Sequence, residues 1–316
     1  GLRNDRATWA DDNLWSPRLS GAYNLTPRTV LRGGWGKYYQ SQFINNLDVH
    51  HSAADFDPAE LSTHYVVGLE HNFDYGIHAR VEGYRKQITR LSDSYQNLRD
   101  PWEVFPEARN DDVLLRYDGA ETAGVELFLK YDQGKKLSWW FSYARARAEE
   151  RVVDIEFDGL LVEQTGTLRR INNQDHTVYA DVNYRPNSRW HINLSWQYYT
   201  GWPLTTYDYV ANRPYTEAPA PDLHMAATHN QFRGEDYPAY HRMDIRVNRD
   251  IRLGDATLKV YLHIINVYNR ENLRKFDVDS TDDDVLVADG QGSYQYFRDD
   301  TTWFGRIPVL GVTYDF

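Results

Sequence analysis

The sequence lacks cysteine, and it lacks any apolar run long enough to cross a bilayer as a helix. Without cysteine there is no disulfide framework, no thiolate zinc site and no thiol nucleophile. A membrane-spanning helix needs about 18 or more consecutive apolar residues, so that class of membrane protein is excluded. Basic residues are also scarce, 35 against 46 acidic ones, and the formal charge of -11 argues against nucleic acid as the main partner.

A secretory leader is missing from the opening residues as well. The stretch "GLRNDRATWADDNLW" has no apolar h-region, so we expect no signal peptide within this sequence. Two interpretations stay open here: a cytosolic protein, or a chain whose true N-terminus lies upstream.

Aromatic side chains, in contrast, are abundant. They make up 15% of the 316 residues, with 24 Tyr, 10 Trp and 12 Phe, yet mean hydropathy is only -0.71. A strand of a membrane barrel needs only about ten alternating residues, and polar lumen and loop positions dilute its apolar signal. High aromatic content with low mean hydropathy is typical of such a barrel.

Segments in which every second residue is apolar recur along the chain. In the stretch that starts at Trp190, "WHINLSWQY", large apolar residues occupy one face of the predicted strand and polar residues occupy the other. Eleven such segments can be counted, at 15–25, 29–39, 63–73, 77–91, 123–132, 137–148, 176–186, 190–198, 241–253, 257–269 and 304–316.

The linkers between these segments fall into two alternating classes. Odd-numbered segments are followed by turns of about two to four residues, rich in Gly, Pro, Asn or Asp, which is typical of hairpins. Even-numbered segments are followed by linkers of roughly 20 to 35 residues, as in barrels with short periplasmic turns and long extracellular loops. We therefore predict an all-β fold, an antiparallel up-and-down transmembrane β-barrel portion in which residues 1–316 form part of a single barrel domain.

The polar faces of the predicted strands carry charges, which indicates the direction of each face. A wet lumen accepts and pairs such side chains, whereas lipid does not. The alternative is a soluble sandwich in which the apolar faces form the core. Two levels of aromatic residues on the apolar faces resemble the girdles of a membrane barrel and favour the first interpretation. The predicted lumen-facing residues are Glu126, Lys130, His191, Asn193, Arg242, Asp244, Arg246 and Lys259.

The last segment alternates back from the terminus. Phe316, Tyr314 and Val312 occupy every second position, an arrangement that resembles the C-terminal signal by which outer-membrane barrels are recognised for insertion. With that terminus in the periplasm, an eleven-strand count starts on a downward strand, and the residues before Trp15 are interpreted as the end of an extracellular loop. An odd count predicts that at least one strand of the complete barrel lies outside this sequence.

Several segments together resemble the barrels of TonB-dependent outer-membrane receptors. The resemblance rests on "SPRLSGAYNLTPRTVLRGGWGKYYQ", "RRINNQDHTVYADVNYRPNSRWHINLSWQYYTGWPLT", "YHRMDIRVNRDI", "LHIINVYNREN" and "RIPVLGVTYDF", whose order and spacing cover nearly the whole chain. The resemblance implies the C-terminal half of a 22-stranded barrel that encloses a plug. It also implies a bacterial outer-membrane receptor that captures a scarce nutrient and imports it with energy from the TonB complex.

The implied partners follow from that resemblance. They are outer-membrane lipid and lipopolysaccharide, the protein's own plug domain, the TonB complex and a small-molecule nutrient of siderophore, cobalamin, glycan or peptide type. The plug, the TonB-contacting segment and a signal peptide are expected to be absent from residues 1–316. No nucleic-acid partner and no cofactor are predicted.

Loop residues are the candidates for ligand binding. Trp202, Tyr207 and Tyr209 follow the eighth segment and suit stacking on a ring system, although packing against the plug is an equal alternative. Arg170 and Arg213 suit bidentate binding of an anionic ligand, with salt bridges to loop acids as the alternative.

Metal binding and catalysis find little support in the sequence. Asp277, Asp279 and Asp282 are weak candidates for a calcium loop, because the fifth-position carboxylate and the sixth-position glycine are not filled, so we favour a solvated acidic loop. Glu149 and Glu150 are interpreted as solvated rather than as a glycosidase pair. No metal site and no enzymatic activity are predicted. The competing classes are an outer-membrane barrel enzyme and a secreted or surface soluble β-protein that binds carbohydrate.

Overall fold

The structure is a computed structural model. It describes residues 1–7, 12–42, 58–97, 112–132, 134, 136–157, 160–204, 233–278, 287–288, 294–295 and 298–316. No helix in this part of the chain is long and apolar enough to cross a membrane.

Strands joined by turns make up most of the described residues. Their bounds are β1 Leu2–Ala7, β2 Asp12–Thr26, β3 Thr29–Gln40, β4 Glu60–Asn72, β5 Ile77–Thr89, β6 Ser94–Asn97, β7 Asp112–Tyr131, β8 Leu137–Phe157, β9 Leu160–Arg169, β10 His176–Asn187, β11 Trp190–Tyr199, β12 Pro203–Leu204, β13 Glu235–Asp236, β14 Tyr240–Leu253, β15 Ala256–Ile265, β16 Leu273–Val278, β17 Val287–Ala288, β18 Tyr294–Gln295, β19 Arg298–Thr302 and β20 Ile307–Asp315.

One large antiparallel sheet organises these strands. Its order is β1-β2-β3-β4-β5-β7-β8-β10-β11-β14-β15-β20, so strands that are neighbours in sequence are neighbours in space. β6 and β9 pair with the far ends of β7 and β8, and β12-β13, β16-β19 and β17-β18 are small pairs within the long linkers. β1 and β20 are the two edges of the main sheet. The up-and-down antiparallel architecture predicted from the sequence is confirmed.

Each of the eleven predicted segments forms a strand of this sheet, namely β2, β3, β4, β5, β7, β8, β10, β11, β14, β15 and β20. Hydrophobic alternation located them because each has one apolar and one polar face. Tight turns then set the register. Gly254, for example, has φ of 67° in the turn between β14 and β15, a conformation that glycine adopts without steric cost.

Two expectations from the sequence were wrong at the edges of these elements. The residues before Trp15 are not simply loop, because β1 pairs antiparallel with β2 from Leu2↔Pro17 to Ala7↔Asp12. The stretch "LRNDRA" has no apolar alternation, so the periodicity could not reveal it. β7 and β8 are also longer than predicted, 20 and 21 residues, because they continue as a hairpin beyond the apolar stretch.

The strand pairing gives the sheet two distinct faces. Directly paired residues point to the same side. Val67 therefore shares a face with its partners Gly33 and Gly83. We call this side, which also carries Leu69, Leu127, Ile192, Ile245, Leu262 and Leu310, the apolar face. Its side chains are largely exposed, with Val67 57% and Leu310 71% accessible.

The opposite side, the polar face, is equally continuous. Asn193 lies opposite Asn183 on one neighbour and Arg246 on the other, and Arg246 lies opposite His263. Burial does not distinguish the two faces of the main sheet, because a single layer leaves both of them accessible. What distinguishes them is chemistry.

Beyond the apolar stretch the two faces exchange character. On the apolar side of β8, Tyr143 is followed two residues later by Arg145, and then by Arg147 and Glu149, which form an ion pair. On the other side the same hairpin buries a small hydrophobic cluster. Its members are Val113, Leu115, Val152 and Ile155, each no more than 6% exposed. The upper part of the β7–β8 hairpin is therefore built as a water-exposed element with its own core.

Candidate functional site

The predicted lumen-facing residues all lie on the polar face. On the neighbouring strands, Glu126 lies opposite Ala144, Lys130 opposite Trp140, His191 opposite Asn248, and Lys259 opposite Thr313. The eight residues do not converge on one site. They are spread along several strands as a polar wall.

Hydrogen bonds knit part of this wall together. Asp181 accepts from the side-chain amides of Asn183 and Asn193, and His191 bonds to Asn183 Oδ1 at 2.8 Å. Asn183 was not among the predicted lumen-facing residues. Alternation with Val182 and Tyr184 in "HTVYADVNYRP" is the signal that places it on this face.

Charged groups complete the wall through local pairs. Arg242 and Asp244 form an ion pair at 3.0 Å, and Lys130 and Asp132 form one at 2.8 Å. Arg246 instead stacks over the ring of Tyr261 at 4.0 Å. Such pairing keeps a polar wall ordered while its outer atoms stay accessible to water.

A second cluster lies above the wall, at the end of the sheet where the long linkers leave. Glu150 of β8 accepts a hydrogen bond from Arg233, and Arg170 Nε lies 3.4 Å from the other oxygen of the same carboxylate. The side chains of Glu150 and Arg233 are only 5% and 2% exposed. A buried carboxylate of this kind requires nearby cations, because an isolated charge in the interior is costly.

Arg169 extends this cluster toward the β12–β13 pair. Its guanidinium binds the carboxylate of Asp236 and donates to the backbone carbonyls of Arg233 and Glu235, both at 3.1 Å. Three guanidinium groups thus surround two carboxylates, so the cluster has an excess of positive charge. We call Glu150, Arg169, Arg170, Arg233 and Asp236 the arginine cluster.

The interpretation of Glu150 as solvated was therefore wrong. Alternation along β8 sends Glu149 to the outer side, where Arg147 pairs with it, and sends Glu150 to the inner side, where it is buried. Arg233 was missed because it ends a long stretch without periodicity. Arg170, a predicted ligand residue, makes the salt bridge to an acid that was its stated alternative.

Aromatic rings lie at the same end of the polar face. Tyr199 and Tyr240 stack in parallel, with centroids 4.5 Å apart and planes 1° from parallel. Trp202, a predicted ligand residue, packs against Tyr199 at 6.1 Å. We call these residues the aromatic platform. The sequence identified Trp202 but not the two tyrosines, whose partnership depends on the pairing of β11 with β14.

The remaining candidate residues contribute no described side chain to either cluster. Tyr207, Tyr209, Arg213, Asp279 and Asp282 lie outside the described residues. Asp277 falls in β16, where it pairs with Asp299 in the register.

Burial alters one ionisable group near the arginine cluster. Tyr117, at the core of the upper β7–β8 hairpin, bonds to Ser94 Oγ at 2.9 Å. Burial, reinforced by the negative charge of Glu150, raises the pKa of Tyr117 to about 12. The ring therefore stays neutral throughout the physiological range.

An asparagine-rich turn closes the other side of this end of the sheet. Asn266 is 0% exposed and has φ of 55°. Its side chain donates to the carbonyl of Arg270 and accepts from the Arg270 amide, while its own N–H donates to Asp244 Oδ1. Asn272 bonds both backbone groups of His241. The segment "INVYNREN" thus fastens the end of β15 to β14.

Fold and faces together define the wall of a membrane β-barrel: antiparallel strands, one apolar outer surface and one polar inner surface. The sequence matches the family model described as TonB dependent receptor-like, beta-barrel, over residues 1–267. The chain belongs to this family, as its resemblance to TonB-dependent receptors predicted. The barrels of this family lie in the bacterial outer membrane, and the short turns of such barrels lie on the periplasmic side.

Solved structures of similar fold agree with this assignment. A point mutant of the ferric enterobactin receptor from Pseudomonas aeruginosa matches with a TM-score of 0.57 at 14% identity, covering 99% of this chain and 41% of that one. The FrpB iron transporter from Neisseria meningitidis matches with 0.53 at 17% identity, covering 95% and 39%. The siderophore receptor PiuA from Acinetobacter baumannii matches with 0.58 at 10% identity, covering 96% and 36%.

These matches support the fold, and they also show how much of each solved structure this chain corresponds to. The chain spans about two fifths of the length of these solved structures. No curated protein matches the sequence.

Proposed function

We propose that this chain forms part of an outer-membrane receptor that captures a scarce nutrient at the cell surface and imports it with energy delivered through TonB. The observation that carries the proposal is an apolar face that crosses the eleven alternating strands, opposite a face that carries the charged and amide side chains named above. Lipid on one side leaves the other side as the wall of an aqueous lumen. Glu126, Lys130, His191, Asn193, Arg242, Asp244, Arg246 and Lys259 are then lumen residues.

The lumen of such a receptor is occupied by a plug, which we propose as the first partner of the polar face. Glu126 lies directly opposite Glu82 on β5, and neither carboxylate makes a hydrogen bond or an ion pair within the described part of the chain. A pair of like charges on one face is unfavourable by itself. Cationic groups of a partner inside the lumen relieve that repulsion.

The chemistry at the cell-surface end favours an anionic ligand that carries rings. The arginine cluster supplies excess positive charge, and the aromatic platform supplies flat surfaces on the same inner side. Arg guanidinium groups bind carboxylates and other anions through paired hydrogen bonds. A ferric siderophore with aromatic chelating groups fits both features, whereas neutral glycans use only the rings.

Uptake of labelled iron by cells that express the protein tests this assignment. We expect accumulation from an aromatic ferric siderophore to require TonB. We expect Trp202→Ala and Arg170→Gln each to weaken the affinity for the siderophore by about tenfold, the loss of one good contact. The affinity is read from the siderophore concentration that gives half-maximal uptake. Trp190→Ala, which removes a ring on the opposite face, is the matched control and leaves affinity unchanged.

The outcomes separate the parts of the proposal. Uptake without TonB contradicts energy coupling. Uptake of cobalamin or a glycan in place of the ferric chelate contradicts the substrate class but keeps the receptor. A protein that leaves cells without detergent and stays monomeric contradicts the membrane assignment and favours a soluble carbohydrate-binding protein. Turnover of a substrate by the isolated protein contradicts the expectation that the chain is not an enzyme.

A further inference from the structure

Three aromatic side chains lie on the polar face below the aromatic platform. Tyr179 of β10 lies opposite Gln197, Trp140 of β8 lies opposite Lys130, and Phe128 of β7 lies two residues before Lys130 on the same side. Tyr179 and Trp140 are 38% and 37% exposed. Large rings open to water stand out on a surface built of amides and charges, and such exposure is typical of binding sites. We call Tyr179, Trp140 and Phe128 the ring track.

The strand pairing places these rings in a series that starts at the aromatic platform. Tyr199 of the platform lies opposite Thr177, so Tyr179 is its diagonal neighbour on β10, two residues nearer the short turns. Trp140 lies opposite Asp181 and is in turn the diagonal neighbour of Tyr179 on β8, again two residues nearer the short turns. Diagonal neighbours in an antiparallel sheet are about 7–8 Å apart, within reach of aromatic side chains. The ring track therefore continues the platform toward the periplasmic end of the wall.

The lower end of the ring track is a stacked pair beside a cation. The ring centroids of Phe128 and Trp140 are 6.4 Å apart, with planes 28° from parallel. The Arg80 guanidinium lies 5.8 Å from the centroid of the Phe128 ring. Carboxylates border this pair as well, because Asp181 lies opposite Trp140 and Glu126 lies two residues before Phe128. Charge of one sign therefore does not select an occupant here, and the rings do.

Tyr261, another ring on the polar face, shows how this wall covers an aromatic side chain that serves packing. The Arg246 guanidinium stacks over the Tyr261 ring at 4.0 Å, and the ring itself lies against Gly311 of the next strand, where a larger residue would collide with it. Tyr261 is thus held from both sides and is only partly exposed. Tyr179 and Trp140 keep a larger open surface, which leaves them accessible to a further ring.

We propose that the ring track is a transit site that binds the aromatic groups of the ligand after it leaves the aromatic platform. The inference rests on the proposed function and adds the route that the ligand takes along the inner wall. Its occupant is the ring-bearing ligand because the track continues the platform from strand to strand, and because aromatic rings gain by stacking on one another. A plug segment packed on the same side chains would use their apolar volume and would not depend on a ring.

Uptake kinetics separate transit from capture. Cells that express the protein receive a radiolabelled ferric tricatecholate, and we measure its affinity in de-energised cells and its maximal uptake rate in energised cells. We expect Trp140→Leu to leave the affinity unchanged and to lower the maximal rate about fivefold, the loss of one ring–ring contact. Trp140→Phe keeps a ring and most of the rate. Phe141→Leu, at the adjacent residue on the apolar face, is the matched control and keeps both quantities.

The results distinguish failure of the ring track from failure of the receptor. An unchanged rate in Trp140→Leu overturns the ring track and keeps the receptor, and so does an equal loss in Trp140→Leu and Trp140→Phe. Increased entry of a large hydrophilic antibiotic into Trp140→Leu cells without the chelate shows that the side chain holds the plug, which also overturns the transit site. Wild-type cells that neither bind nor import the chelate overturn the proposed function, and the ring track with it. Gel migration with and without heating confirms that every variant is folded.

Discussion

Tyr143 and Arg145 lie two residues apart on the same side of β8, opposite Leu127 and Val125 of β7. The ring belongs to the apolar face, and the guanidinium begins the charged stretch that continues with Arg147 and Glu149. The boundary between lipid and water on the cell-surface side therefore falls between these two residues. That boundary gives the sheet a defined depth in the membrane.

Val67 and its neighbour Val66 provide the sharpest test of the two faces. Val67 is 57% exposed on the apolar face, whereas Val66 points to the polar face, opposite Gly34 and Tyr84. Val67→Arg places a charge in lipid and costs about 2–4 kcal/mol, while Val66→Arg places it in water. Urea titration of the protein in vesicles should show the loss for Val67→Arg alone. Equal losses contradict the orientation of the sheet.

Glu150 should control the docking of the segment that carries Arg233. Glu150→Ala leaves a guanidinium buried without its carboxylate, an arrangement that costs about 3–5 kcal/mol. Undocking of the segment relieves this cost, so we expect faster hydrogen exchange in residues 233–236 with insertion unchanged. Glu149→Ala, which breaks only the exposed pair with Arg147, is the control. Unchanged exchange in Glu150→Ala contradicts the role of the arginine cluster.

Two substitutions at Asn266 distinguish the cost of losing its hydrogen bonds from the cost of its left-handed backbone conformation. Asn266→Gly loses the bonds to Arg270 but accepts a φ of 55°, whereas Asn266→Ala also pays about 1–2 kcal/mol for the left-handed backbone. Unfolding free energies in vesicles should therefore rank wild type, then Asn266→Gly, then Asn266→Ala. Asn269→Gly, at an exposed position with the same φ, should change stability by less than either.

Tyr117 should titrate late and couple stability to alkaline pH. Its pKa is raised to about 12 by burial, above the ordinary value of about 10. The stabilisation is present in full below pH 10 and is lost as pH rises through the folded pKa, a change of about 2–3 kcal/mol. Stability should fall less steeply over this range in Tyr117→Phe than in wild type. Difference absorbance of tyrosinate between the two proteins gives the pKa directly.

Phe316 should influence assembly rather than stability. It is fully exposed on the apolar face, two residues beyond Tyr314 and four beyond Val312. Phe316→Ser should lower the fraction of chain that reaches the outer membrane and leave the remainder as aggregate. Phe304→Ser, which removes an exposed ring just before β20, should assemble normally. Normal assembly of Phe316→Ser contradicts the proposed insertion signal.

Strand positions could be predicted from the sequence because alternation is a local property. Tyr23 and Leu31 lie on one face whatever their neighbours are, and their pairing follows once the short turn between β2 and β3 sets the register. β1 was not predicted because both of its faces carry polar residues. The upper ends of β7 and β8 escaped because their apolar residues switch sides at the water boundary, which breaks the period.

The site was less predictable because its contacts join distant parts of the chain. Arg233 and Glu150 are 83 residues apart, and nothing in either local sequence indicates the other. Trp202 could be named as an exposed aromatic, but its stacking partner Tyr199 acquires Tyr240 only through the pairing of β11 with β14. Long-range contacts of this kind require the register of the whole sheet.

The apolar surface of the β7–β8 hairpin ends where charged residues begin, so the hairpin has a fixed apolar length to which the bilayer must match. A downward slide by two residues brings Arg145 into hydrocarbon, and an upward slide lifts the Trp139 ring away from the lower headgroups. Neither movement has an offsetting gain, so the membrane must adapt to the protein. Lipids around these strands are expected to thin or thicken to match them, and a receptor built on such strands perturbs its surroundings wherever it resides.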